Sequence, residues 1–124
     1  MNLQNLTTVM PDNAFPVIRV YKNSIHLNGK ASLLLGLAPH SRINVRKDAD
    51  TGNVYIYRSE EECAYRLSVY RGRKGKRVNS NKLAAALSDA LSGYGAYRIS
   101  EDWGGVSQST SAMYRIMPGL INAA

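Results

Sequence analysis

The chain has 124 residues, 44% of them hydrophobic and 20% charged, with a formal net charge of +7 at pH 7. That length suits one domain, and the composition is globular rather than disordered or fibrous. No apolar run approaches the roughly 18 residues that cross a bilayer.

Residues 1–15 are polar, with prolines at 11 and 16 around Asp12 and Asn13, and read as a flexible N-terminal arm. Residues 16–124 then read as a single domain. Pro16 to Tyr21 alternates, with Ile18 and Val20 on one face and Arg19 and Tyr21 on the other, the period of a half-buried strand. Lys22-Asn23-Ser24 is a turn, and Ile25 and Leu27 begin a second strand. Asn28 stands before GKASLLLGL, where its side chain can accept from the free amides of a helix over 29–36. Ala31, Leu34 and Leu35 are the buried stripe, Gly36 the left-handed stop, and Pro39 a bar to resumption. Ile43 and Val45 then alternate with Arg42, Asn44 and Arg46. A turn at Asp50-Thr51-Gly52-Asn53 leads to a return strand, Val54 and Ile56 opposite Tyr55 and Tyr57.

The second half repeats this order. Leu67 and Val69 oppose Arg66, Ser68 and Tyr70 in one strand; residues 71–76 read as a hairpin tip; Arg77-Val78-Asn79 is the short return. Ser80 or Asn79 caps a helix over 80–92, whose Leu83, Leu87, Ala90 and Leu91 share one face. Gly93 and Gly95 end it, and YRIS and MYRIM are strands joined by the polar stretch 101–111. The fold class expected is α+β: two tandem ββαββ units, 16–59 and 64–118, forming one compact barrel-like or packed-sheet domain with two short helices. Its core would hold Leu34, Leu35, Ile43, Val45, Val54, Ile56, Leu67, Val69, Leu83, Leu87 and Leu91.

The stretch IHLNGKASLLLGLAPHSRINVRKDADTGNVYIY, residues 25–57, resembles the swapped-hairpin fold of AbrB-like transition-state regulators and antitoxins. The likeness lies in a strand ending at the helix cap, a short helix ending Leu35-Gly36-Leu37, and the following strand pair. Members of that family usually pair two copies to finish a barrel and bind DNA through basic residues on one face. Two tandem halves would do so within one chain. The family's proline at the cap is Asn28 here, its basic residues early in the helix are Ser32 and Leu33, and its Gly-Arg before the second strand is Asn23-Ser24. Of the family's DNA contacts the resemblance therefore leaves Lys22, His26 and Lys30.

Charge is uneven. Residues 1–62 carry seven Lys/Arg and six Asp/Glu, whereas residues 63–124 carry nine and three. Between Glu62 and Asp89 there is no acid, only Arg66, Arg71, Arg73, Lys74, Lys76, Arg77 and Lys82. Such a block repels itself and attracts polyanions. It suits nucleic acid, an acidic protein partner, or a solvated hairpin tip. With Tyr70 and the outward Arg42, Arg46, Tyr55 and Tyr57, these basic residues make the candidate nucleic-acid-binding set. Arg19, Tyr21, Arg98 and Arg115 extend the same exposed face. Arginine forks hold phosphates and tyrosine rings stack on splayed bases.

Catalysis finds no signature. His26 and His40 lack metal-ligand spacing, and Cys63, the single cysteine, reads as a small buried thiol rather than a nucleophile. GRKGK at 72–76 lacks the Ser/Thr and helix of a phosphate loop. Glu60 to Glu62 read as a solvated linker, and Asp48, Asp50 and Asn53 as turn residues. No cofactor or metal is expected. One cysteine and the absence of a signal-peptide pattern at the start fit a cytoplasmic protein. The expected function is non-enzymatic nucleic-acid binding, as a DNA-binding regulator, with a homo-oligomer or protein partner left open and no membrane. The alternative is a structural or assembly protein of a phage or mobile element acting through protein–protein contacts.

Overall fold

The computed structural model describes residues 15–61, 64–68, 75–106 and 112–121. Its eight strands form one sheet that rolls into a nearly closed barrel, with two short helices. The strands are β1 (Val17–Val20), β2 (Ile25–Leu27), β3 (Arg42–Lys47), β4 (Val54–Ser59), β5 (Tyr65–Arg66), β6 (Lys76–Val78), β7 (Gly95–Val106) and β8 (Ala112–Leu120). Helix α1 (Gly29–Leu35) follows β2, and α2 (Asn81–Ala90) follows β6. The order across the sheet is β5-β3-β4-β8-β7-β1-β2-β6, every neighbour antiparallel. The end strands meet at a bridge between Ser68 and Arg77, where the Ser68 amide donates to the Arg77 carbonyl at 2.7 Å. Closure of this kind leaves few unpaired edge groups.

The strands form where alternation places them. Ile18, Val20, Ile25, Leu27, Ile43, Val54, Ile56 and Leu67 are buried, and so are Val78, Tyr97, Ile99 and Ile116. The helices add Ala31, Leu35, Leu83, Ala84 and Leu87 to the same cluster. Each fully buried Leu, Ile or Val contributes roughly 1.5–3 kcal/mol. Leu34, Val45 and Leu91, expected in the core, pack against it half-buried. Val69 and Cys63 lie outside the described residues.

Both caps use the expected residues. Asn28 Oδ1 accepts from the Ala31 amide at 2.9 Å, and Gly36 closes α1 at φ 65°. Asn28 does more than cap. Its Oδ1 also accepts from Val17 N at 3.1 Å and its Nδ2 donates to the Phe15 carbonyl at 2.9 Å, tying the start of β1 to α1. Ser80 Oγ, rather than Asn79, accepts from Leu83 N at 3.1 Å.

Three expectations change. First, most of the expected hairpin tip, residues 71–74, lies outside the described residues, while on either side β5 pairs with β3 and β6 with β2, and Ser68 meets Arg77 in an antiparallel bridge. Lys76 belongs to the sheet, not to a tip, and Gly75 leads directly into it. A Cβ on Gly75 would sit 2.9 Å from the Leu27 carbonyl, so that backbone approach needs glycine. Second, residues 101–106 continue β7 instead of joining two strands as a loop. Pairing with β8 supplies the hydrogen bonds that weak β propensity there would not win alone, at the cost of register shifts along the ladder. Third, Tyr57, expected on the exposed face, is only 5% exposed. Alternation decides which side of the sheet a residue takes and not how far that side is covered.

Candidate nucleic-acid interface

Directly paired residues of antiparallel strands share a face. Ile18 pairs with Leu27 and Val20 with Ile25, and all four are buried, so Arg19 and its partner His26 face outward. His26 pairs in turn with Arg77, and Arg77 with Ser68. Arg66 lies two residues before Ser68 and on the same side, and its partner is Arg42. Strand register thus draws Arg19, His26, Arg77, Arg66 and Arg42 into one outer belt across β1, β2, β6, β5 and β3. Along β3 the outer residues continue through Asn44 to Arg46, about 13 Å beyond Arg42 at the usual strand rise. Arg46 pairs with Tyr55, and Tyr55 with Arg115.

The strands of the belt carry no acid of their own. Of the eight strands only β7 carries acids, Glu101 and Asp102. The described acids otherwise lie outside the strands, at Asp48 and Asp50 in the β3–β4 turn, Glu60 and Glu61 after β4, and Asp89 in α2. Glu60 pairs with Arg58 at 3.8 Å, and Arg58 also donates to the Gly36 carbonyl at 3.1 Å. Arg42 stands directly opposite Arg66, and like charges so placed are destabilising. His26 is held below its ordinary 6.5, first by burial, then by Arg77 and Arg19. The face therefore concentrates positive potential where an anion would relieve repulsion.

The expected set divides. Arg42, Arg66 and Arg77 meet on the belt, and Arg46 and Tyr55 on its extension. Lys76 alternates to the side of Leu27 and Val78 and is half-buried. Lys82 is exposed on α2, and no strand register joins it to the belt. Tyr57 is buried and offers no ring to a ligand. Tyr70, Arg71, Arg73 and Lys74 lie outside the described residues, in the chain between Ser68 and Gly75. Arg19 and His26 join the belt though the basic segment does not include them. Their signal in the sequence is an outward position in a short strand, but their alignment with Arg77 depends on the β2–β6 pairing.

Beside the belt lies an open cleft of about 360 Å³, lined by Arg19, Tyr21, Lys22 and Tyr94 among others. The Tyr21 ring meets His26 edge-on, with centroids 4.7 Å apart.

Among the described residues, no three His, Cys, Asp or Glu side chains stand together as a metal set, and no helix is long and apolar enough to cross a membrane. No protein-family model matches the chain, and no curated protein or solved structure matches it either.

Proposed function

We propose that this chain is a non-enzymatic nucleic-acid-binding protein that holds a phosphate backbone along the cationic outer face of its barrel. The observation that carries the reading is the register alignment of Arg19, His26 and Arg77, continued by Arg66 and Arg42, on strands without a carboxylate. Like charges gathered in this way repel one another and oppose folding. A polyanion gains from the same alignment, since each bound phosphate releases counterions and neutralises part of the repulsion. The basic segment of Arg71, Arg73 and Lys74 connects at both ends to belt strands in this reading.

We also propose the finer architecture: two tandem ββαββ halves, β1–β4 with α1 and β5–β8 with α2. Support comes from the closed strand order. Exchanging β1 with β5, β2 with β6, β3 with β7 and β4 with β8 reproduces the same ring read in the opposite direction. That exchange is what a duplicated AbrB-like unit would produce, with each half lending strands to the other.

Fluorescence anisotropy with random-sequence oligonucleotides between about 50 and 200 mM salt tests the function. Affinity should fall steeply with salt. Changing Arg19, Arg66 and Arg77 together to Ser should weaken binding at every sequence and flatten the log–log salt slope by roughly 0.7–0.9 for each phosphate no longer held. No binding by the unmodified protein, or binding insensitive to salt, overturns the reading and favours a protein–protein surface.

A further inference from the structure

We propose that the cleft lined by Tyr21 and Tyr94 is a stacking subsite for an unpaired nucleobase, so that the ligand of the cationic face is single-stranded nucleic acid. The inference rests on the nucleic-acid reading and deepens it. Four large hydrophobic side chains are exposed among the described residues, and two of them, Tyr21 at 45% and Tyr94 at 52%, line this one cleft. Arg19 and Lys22 line it too, and Arg19 is also the end of the belt. A backbone lying on the belt would therefore arrive at the two rings. The volume, about 360 Å³, falls at the lower end of the range for small-molecule sites, which run from roughly 300 to 1,000 Å³.

Both rings stand on turns that are anchored to the rest of the fold. Tyr21 begins the tight β1–β2 turn, its amide donating to the Ser24 carbonyl at 2.8 Å, and its ring is braced by His26. Tyr94 rides the turn between α2 and β7. The buried Tyr97 hydroxyl pins that turn, accepting from Ser92 N at 2.8 Å and donating to the Gly93 carbonyl at 2.5 Å. Ser92 Oγ donates to the Pro118 carbonyl at 2.7 Å, a second anchor. Gly95, at φ 147°, leaves room where a Cβ would stand 2.6 Å from Leu120 Cδ2. So much fixed geometry behind a solvent-facing tyrosine is unnecessary for solubility. It suits a platform that loses little entropy when a planar base settles on it. A duplex keeps its base faces stacked inside and offers nothing to these rings; a single strand offers every base.

The test uses a bromouracil-containing single strand and the duplex made with its complement. Binding to both is measured for the unmodified protein, for Tyr21→Ala with Tyr94→Ala, and for the paired Phe variant. The Ala pair should lose roughly 5- to 150-fold in single-strand affinity for each base that stacked, and change little for the duplex. The Phe pair should bind as the original does, and ultraviolet cross-links should map to Tyr21 or Tyr94. Equal losses for strand and duplex, no loss for either, or cross-links confined to other residues overturn the stacking site while the belt reading stands. Failure of the unmodified protein to bind either probe overturns both. Melting curves of each variant keep loss of fold apart from loss of stacking.

Discussion

The two faces of the same strands solve opposite problems. On β1, Ile18 and Val20 are buried while Arg19 between them joins the belt. On β3, Ile43 is buried while Arg42 stands opposite Arg66. The inner face is packed from strands on every side of the barrel, so it bears stability. The outer face gathers basic side chains on strands that carry no acid. The difference teaches where to look: truncating inner side chains should cost stability, and replacing the exposed outer arginines should spare the fold while weakening the proposed binding.

The largest effect belongs to the interior. Leu87→Ala should cost about 2–5 kcal/mol in urea denaturation, because α2 puts this fully buried side chain into the shared cluster. A cost below about 1 kcal/mol would mean that the helix face contributes little packing, and would break the contrast. Asn28→Ala should come next, at about 1–2 kcal/mol, the upper part of the range for a helix cap. It loses the cap and also the bonds to Val17 and Phe15. Asn28→Ser, which keeps a cap but cannot make all three bonds, should recover part of that loss in thermal melts.

Outer changes should be small in stability, and opposite in sign to inner ones where they relieve charge repulsion. Arg66→Ser removes one member of the Arg42 pair and should leave stability unchanged or raise it slightly. The same variant should bind oligonucleotides more weakly in anisotropy titrations. Loss of stability together with unchanged affinity would place Arg66 on the structural side of the comparison.

His26 gives the smallest effect and a sharp sign. Its folded-state pKa lies below the ordinary 6.5, so the unfolded chain takes up the proton first. Stability should be full above 6.5, decline as the pH falls below it, and level off once the folded protein is protonated as well. His26→Gln should remove this part of the decline in urea melts taken across that window. A bound polyanion should oppose the pull of Arg77 and Arg19 and raise the imidazole again. Binding should therefore take up protons and tighten as the solution is acidified.

Much of the local structure is legible in the sequence because it is governed by neighbours in the chain. Period-two alternation locates β1, β3 and β4, since a strand half-facing a core needs it. Asn28, Gly36 and Ser80 mark helix ends because cap geometry is decided within a few residues. The acid-free segment is equally plain as composition. What tertiary structure decides is partnership. Local pattern reads residues 71–76 as a hairpin tip, but it does not show that β5 pairs with β3 and β6 with β2, so that Lys76 lies in the sheet. Tyr57 follows its alternation to the outer side and is covered nonetheless. Residues 101–106 become strand through β8 and not through their own propensity. The belt lies on the same divide: its arginines are visible along the chain, but their alignment with His26 exists only once distant strands are hydrogen-bonded in register, a cooperative choice that no single segment contains.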